Sequence, residues 1–496
     1  MCGIIGIISS ENVNQEIYDG LITLQHRGQD SAGMVTFDGH FNLKKGNGLV
    51  RDVFQTKNMS RLLGPIGIGH VRYPTAGSYR VEESQPFYVN SPYGIALVHN
   101  GNLTNYDSLK KEVLEKDKRF LNTRSDSEVL LNVLAHELRS LGLEKMEPND
   151  IFKAMKNVFR RVKGSYSIIS LVAGHGLLAF RDPYGIRPLI LGKKNTTKGP
   201  DYIISSESVA LDTLGYEVVS DIQPGEVVYI DMNHNIHRKI CADKPTWAPC
   251  LFEWIYIARP DSTIDNINVY KTRLRLGEYL VDQIKKSNIE IDVVMPVPDS
   301  GRSAAIPLAA KLGVPYREGL VKNRYIGRTF IMPGQEQRQK SVKFKLNPIK
   351  LELKGKKVLL VEDSIVRGTT SKKIIEMVRG AGAKKVYIAS CAPALISPCV
   401  YGVDMPTRKD FIAYNLSNDV IAKVIGADKV FYQDLKDLVK AAQKGNPRVT
   451  GFCGACFSGK YPTPEVTEET LKEAEESRRQ AHPEEVQESD EALTLL

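Results

Sequence analysis

Cys2 is the first residue whose type and place could do covalent chemistry, and it is followed at once by Gly3 and the apolar run Ile4-Ile5-Gly6-Ile7-Ile8. Methionine before a small residue is ordinarily trimmed, which would leave Cys2 as the amino terminus. A terminal α-amine, with a reference pKa of about 7.7–8.0, would then sit beside the thiol as its base. The thiolate is the nucleophile, and a neighbouring base is what makes it. A thiolate attacking an amide also needs donors for the developing oxyanion, which the Asn100 side chain and the Gly101 N–H would supply. An amino-acid substrate needs a cation for its carboxylate and an anion for its ammonium, and Arg72 and Asp126 fit those two tasks. Each of these residues also has an ordinary reading. Asn100-Gly101 is a good tight-turn pair, Ser125 with Glu128 is a capping box opening a helix, and Arg72 is a surface charge.

A second chemical stretch lies far downstream, at Val361-Glu362-Asp363-Ser364-Ile365-Val366-Arg367-Gly368-Thr369-Thr370-Ser371. Two acids end an apolar run, a loop with glycine and hydroxyls follows, and a helical pattern begins. Backbone N–H groups at such a helix start suit a phosphate, and ligands of α/β sheets bind beyond the carboxyl ends of the strands. The ordinary reading is a loop whose acids cap the next helix. Lys322-Asn323-Arg324-Tyr325-Ile326-Gly327-Arg328 and the basic run to Lys345 read either as a soluble loop or as a lid that neutralises a polyanion and excludes water. Finally, Cys453-Gly454-Ala455-Cys456 is a C-x-x-C pair that, with Cys250 and Cys399, suits zinc, an iron–sulfur centre or redox chemistry, against the alternative of inert buried thiols.

These residues need elements to hold them. Residues 1–235 alternate short apolar strands with Gly- and Asn-rich turns, and helical patterns near Asn14–Leu24 and Ser125–Leu141 interrupt them. An α+β domain of packed sheets is expected. Residues 241–249, with two prolines, read as a linker at the start of a second domain spanning 236–460. Glu253–Ala258 reads as a strand and Arg259–Ser262 as a turn. Tyr270–Lys285 reads as a basic amphipathic helix whose Arg273 and Arg275 belong to a solvated face. The apolar runs at Asp292–Pro298, Lys357–Val361 and Lys385–Ala389 alternate with helical patterns at Arg302–Leu312 and Thr370–Arg379, so a parallel sheet covered on both faces is predicted. Residues 461–496 are acidic, expected to be a frayed helix or disordered.

At 496 residues the chain exceeds a single core. No apolar run approaches the roughly 18 residues that span a bilayer, and the short apolar start lacks the basic flank of a signal peptide, so a cytoplasmic protein with reduced thiols is expected. The seven cysteines are an odd number, against a closed disulfide framework. Net charge is +9, but residues 465–496 hold 11 acids against 3 bases, leaving +17 on the body. That excess suits an anionic ligand or nucleic acid, and no helix-turn-helix or RNA-binding motif accompanies it.

Cys2-Gly3-Ile4, His26-Arg27-Gly28-Gln29-Asp30, Arg72-Tyr73-Pro74-Thr75, His99-Asn100-Gly101-Asn102, Ser125-Asp126-Ser127-Glu128, Arg181–Pro188 and Ser205-Ser206-Glu207-Ser208 together resemble the N-terminal-nucleophile (αββα) glutamine amidotransferases. The stretch around Glu362-Asp363 resembles the phosphoribosyl-pyrophosphate (PRPP) loop of the α/β type I phosphoribosyltransferases, although Glu362 stands where that family usually has aspartate. Both halves in one chain resemble the glutamine PRPP amidotransferases, in their iron–sulfur-bearing branch. The resemblance implies that ammonia freed from glutamine at Cys2 attacks C1 of PRPP to give 5-phosphoribosylamine, opening purine synthesis. It implies that Arg72 and Asp126 hold glutamine and that Asn100 and Gly101 form the oxyanion hole. Arg367, Gly368, Thr369 and Thr370 would wrap the 5-phosphate, and Ser300, Glu362 and Asp363 would serve one Mg²⁺ per subunit. Lys322 would belong to a lid, and Tyr325 to the wall of a sheltered ammonia path. Cys250, Cys399, Cys453 and Cys456 would hold a 4Fe–4S cluster, with zinc as the rival. Purine nucleotides would inhibit, one of them through the phosphate contacts of Arg273 or Arg275, and the assembly would be a homotetramer or homodimer. The alternative from another class is a PRPP-sensing regulator, which would have no use for Cys2, Arg72, Asn100 and Asp126 together.

Overall fold

The computed structural model describes residues 1–73, 80–140, 147–323, 346–405 and 407–481, the side chains of 477–481 excepted. The glycine-punctuated strand Gly3–Ile8 lies in the middle of a seven-stranded antiparallel sheet, between Gly199–Ser205 and Ile66–Arg72. A second, six-stranded antiparallel sheet runs through Phe87–Val89, Ile95–Leu103, Gly164–Val172, Gly176–Arg181, Glu226–Asp231 and Ile236–Ile240. Ile4, Ile8, Val35, Ile66 and Ile68 of the first sheet meet Val98, Ile169, Leu171 and Leu177 of the second. The outer faces are covered by helices. Asn14–Thr23 packs on the first sheet through Ile17 and Leu21, and Asp126–Arg139 with Pro148–Arg161 covers the second through Leu130, Leu134, Met155 and Val158. The result is the expected helix–sheet–sheet–helix stack, with alternate strand residues facing opposite layers.

The strand Ile236–Ile240 pairs with Glu226–Asp231, so the first domain extends past the expected boundary at 235. Residues 246–250 then run along the first domain, with Thr246, Ala248 and Cys250 donating backbone N–H groups to Pro183, Tyr184 and Ile186. This linker is therefore docked. Glu253–Ile257, read as a strand, is a π-helical turn: Trp254 and Ile255 are buried in different clusters, and among the described residues no strand pairs with it. The expected turn at Arg259–Ser262 closes with a 3.0 Å bond from Ser262 N to Arg259 O.

The second domain is built on a parallel sheet in the order Val293–Pro296, Lys357–Glu362, Lys385–Ser390, Lys429–Tyr432. The fourth strand is too short to stand out as an apolar run. Helices Arg302–Leu312 and Thr369–Gly380 cross between strands, and the basic helix is Val269–Tyr279 followed by Val281–Lys286. Its arginines do not form a solvated face. Arg273 is buried and donates to the carbonyls of Trp254 and Ala258, and Arg275 donates to that of Ala441. The acidic C-terminal stretch begins as an ordered element: helix Glu468–Ala481 buries Leu471, and Glu465 accepts from Thr104 of the first domain at 2.9 Å.

The domains are also pinned by charge. Arg181 is fully buried and grips both oxygens of Asp265, at 2.6 and 2.8 Å, while Asp221 accepts the N–H groups of Asp265 and Asn266. Burial, and then the neighbouring Asp265, raise the pKa of Asp221 above its ordinary value. Removing one partner of a buried pair leaves an uncompensated charge, so Arg181→Met is expected to cost about 3–5 kcal/mol, read as a fall in the urea unfolding midpoint.

Candidate active site

Cys2 sits immediately before the central strand of the first sheet. Its backbone N–H donates to Asn100 Oδ1 at 3.3 Å, its carbonyl accepts from Arg27 Nε at 2.9 Å, and its Sγ lies 3.8 Å from the Tyr73 carbonyl. Gly3 pairs with Val71, so the strand that ends in Arg72 runs alongside Cys2, with Tyr73 just beyond it. The Met1 side chain is buried between the domains, and burial first, with Arg187 and Arg27 nearby, holds the terminal amine down to about 6 against the opposing charge of Cys2.

Asn100-Gly101 is not a turn. Both residues lie inside the nine-residue strand Ile95–Leu103, opposite Ser167 and Tyr166, because the chain continues extended through the pair. Asn100 is fully buried, and its Nδ2 has no partner among the described residues. A Cβ on Gly101 would stand 2.0 Å from the Ser165 carbonyl oxygen, so this position admits only glycine. Two residues on, Leu103 donates its N–H to Asp126 Oδ2 at 3.1 Å, which brings Asp126 to the same strand. Burial opposes ionisation of Asp126, but His99 and hydrogen bonds from Leu103 and Ser127 outweigh it and hold its pKa below the ordinary value. Arg72, at the end of its strand, lies 3.3 Å from Glu83 Oε2. The structure thus gathers Cys2, Arg72, Asn100, Gly101 and Asp126 at one end of the sandwich.

The capping box is not formed. Ser125 caps its helix by accepting from Ser127 N, whereas the Glu128 carboxylate turns back to Asn122 N, Thr123 N and Thr123 Oγ1. Glu128 is more useful there, since that loop has no strand to satisfy its N–H groups. Sequence reasoning also missed Gln85, whose side chain pairs with both the N–H and the carbonyl of His99 in place of a neighbouring strand. Nor did it single out Glu83, Glu207 and Glu253. Glu207 lay within a quoted motif, whereas Glu253 was hidden in an apolar run.

The second site forms at the carboxyl end of the parallel sheet. Glu362 ends its strand and accepts from Ser371 Oγ at 2.8 Å, while Asp363 accepts from Ser364 Oγ at 2.7 Å and from Ser300 Oγ. Burial, then the charge of Asp363, push Glu362 up to about 8, against the Ser371 bond. Ser300 reaches Asp363 because its loop runs tightly past the strand: a Cβ on Gly301 would stand 2.1 Å from Val361 O. Gly368 takes a left-handed φ of 75° as the residue before helix Thr369–Gly380, with Arg367, Thr369 and Thr370 exposed around it. Lys322 lies 3.3 Å from Asp299, which also binds Arg302 at 2.7 Å. Tyr325 and the rest of the expected lid lie outside the described residues.

The four cysteines of interest come together near the domain boundary. Cys250 and Cys453 lie side by side, bracketed by 3.0 Å bonds from Cys453 N to Pro249 O and from Leu251 N to Cys453 O. Burial first, then Cys250, Cys399 and Cys453, push the Cys456 thiol well above its usual value, so all four groups feel one another. Among the described residues, no three His, Cys, Asp or Glu side chains close to the spacing that would hold a single metal ion.

Comparison with known proteins fits this geometry. A glutamine amidotransferase domain family matches residues 76–213, and a phosphoribosyl transferase domain family matches residues 264–426. The amidophosphoribosyltransferase of Pseudomonas aeruginosa is 55% identical over 484 residues, covering 97% of each chain. That of Escherichia coli is 52% identical over 471 residues, covering 94% of this chain and 93% of that protein. That of Saccharomyces cerevisiae is 48% identical over 489 residues, covering 96% and 95%. Among solved structures, the glutamine PRPP amidotransferase of B. subtilis complexed with ADP and GMP superposes with a TM-score of 0.83 at 38% identity, covering 94% of this chain and 98% of that one. With relatives of this kind along nearly the whole chain, the regulator alternative falls. Because a methyl at Gly101 must displace the strand that presents Asn100, Gly101→Ala is expected to lower glutamine-dependent turnover by about 10²-fold, measured as glutamate release.

Proposed function

This chain belongs to the amidophosphoribosyltransferase family, and we propose how its residues divide the work. The enzyme transfers the amide nitrogen of glutamine to C1 of PRPP, giving 5-phosphoribosylamine, glutamate and pyrophosphate, the first step of purine biosynthesis. Loss of Met1 leaves the terminal amine on Cys2, beside its own thiol. The amine takes the thiol proton, and the Cys2 sulfur attacks the amide carbon of glutamine. Asn100 Nδ2 and Gly101 N–H donate to the oxyanion. Collapse expels ammonia, which leaves with the proton returned by the amine, and water then hydrolyses the thioester to glutamate. Arg72 holds the substrate carboxylate and Asp126 its ammonium. The observation that carries this reading is Asn100, whose Oδ1 anchors Cys2 while its buried Nδ2 keeps a donor for the substrate.

At the second site, the N–H groups and hydroxyls of Gly368, Thr369 and Thr370, with Arg367, bind the 5-phosphate, and Asp363 and Glu362 face the ribose hydroxyls. Mg²⁺ typically takes one or two carboxylates plus substrate oxygens, so Asp363, Glu362 and Ser300 fit it without a three-ligand cage. When bound it would neutralise charge on the departing pyrophosphate. Lys322 stands beside the same loop, and Tyr325 is assigned to the ammonia path. The thiols of Cys250, Cys399 and Cys453, which are buried, and of Cys456, which is partly buried, are assigned to a 4Fe–4S cluster, which spreads its ligands wider than the ~2.3 Å Zn–S bonds of a single zinc would. Purine nucleotides are the inferred feedback inhibitors, in keeping with the ADP and GMP bound to the B. subtilis relative. The inferred assembly is a homotetramer or homodimer. The described residues include no helix long and apolar enough to cross a membrane, and a cytoplasmic location is inferred.

Cys2→Ala is expected to abolish glutamine-dependent PRPP consumption while sparing the ammonia-dependent reaction; loss of both in a folded variant refutes the two-site scheme. Anaerobically purified protein is expected to be brown and to contain about four iron atoms per chain; stoichiometric zinc in their place refutes the cluster.

A further inference from the structure

The nucleophile's orientation depends on a carboxylate from the other domain. Once Met1 is removed Cys2 has no preceding peptide to fix it, and its backbone makes two bonds to other segments: its N–H to Asn100 Oδ1, and Arg27 Nε to its carbonyl. The second bond sets the Cys2 carbonyl, and with it the direction of the thiol and amine. Arg27 is completely buried and needs anions to stay there. One is Glu207 of the first domain, with its Oε1 2.5 Å from Nη1. The other is Glu253, with Oε2 3.0 Å from Nη1 and Oε1 2.9 Å from Nη2.

Glu253 opens the π-helical turn that follows the linker, and it is 1% exposed. It also accepts from Arg187 Nη1 at 3.2 Å, and Arg187 in turn holds the Tyr401 carbonyl through Nε and Nη2, at 2.9 and 2.6 Å. The next residue, Gly402, packs so closely on Gly101 that a Cβ would stand 2.8 Å from the Gly101 carbonyl oxygen. Nucleophile and oxyanion strand therefore lean on the same two segments of the second domain. Where a buried pair serves only as glue, apolar side chains of the same volume do as well. No apolar side chain could donate to the Cys2 carbonyl. We propose that Glu253 is a positioning residue for glutamine hydrolysis, acting through Arg27 on Cys2. The proposal rests on Cys2 being the nucleophile.

The test compares Glu253→Gln with wild type in the full-length enzyme. The expected result is a fall of about 10- to 100-fold in glutamine-dependent kcat, with KM for glutamine changed by less than about threefold and ammonia-dependent turnover by less than about twofold. Added to Arg27→Lys, the substitution is expected to cost nothing further, because both act on one contact. Equal loss of the glutamine and ammonia reactions, an unchanged kcat, or additive losses in the double variant would each overturn the proposal. Should Glu253→Gln fail to fold, Glu253→Asp keeps the charge but shortens the reach, and the same split between kcat and ammonia turnover is expected. Glutamine turnover surviving in Cys2→Ala would instead sink the reading beneath it, so the two failures are distinguishable.

Discussion

A residue one step from the start of a chain must be immobilised with almost no help from what precedes it, and much of the first domain follows from that constraint. Chain ends fray unless tied down. Here the tie is the central strand Gly3–Ile8, buried on both faces and paired on both edges. Ile4 N adds a bond to Ser206 Oγ, and Arg27 and Asn100 grip Cys2 itself. Every other group of the site is then presented by a neighbour of that strand: Arg72 from the adjacent strand, Asn100 and Gly101 from the facing sheet, and Asp126 from the helix packed behind it.

The same economy governs the domain boundary. The first domain contributes four buried or nearly buried charges, Arg27, Arg181, Arg187 and Glu207, and the second contributes Glu253 and Asp265. Such charges are tolerable only as pairs, so the two domains cannot separate without exposing unsatisfied partners to each other's apolar surroundings. At the other site the polarity is reversed. Glu362 and Asp363 lie side by side with hydroxyls as their close partners, and both carboxyls are raised by burial first.

Several elements were readable because their signals are local. The apolar run before Glu362, the glycine-containing loop after it and the helix that follows each come from residue type and spacing. So does the buried strand after Cys2. Other readings failed where the deciding partner is distant. Glu253 sits in a run as apolar as a strand, but among the described residues no strand pairs with it, and it opens a π-turn in which its carboxylate meets Arg27 and Arg187. Arg273 and Arg275 have the spacing of a solvated face, yet backbone carbonyls of other segments claim them. Ser125 and Glu128 have the spacing of a capping box, but the Asn122–Thr123 loop offers Glu128 more donors than the helix start does.

By itself, the sequence singled out the candidates: a thiol that could attack, donors and charges that could serve it, and acids and hydroxyls that could receive a sugar diphosphate. These properties belong to side chains and to spacings of a few residues. Only the tertiary structure decided how Cys2 is held, through contacts between residues 25 to 226 positions apart. The reason is that a buried charge takes its meaning from whatever partner the fold delivers to it. No periodicity or motif along one stretch encodes a partner contributed by another.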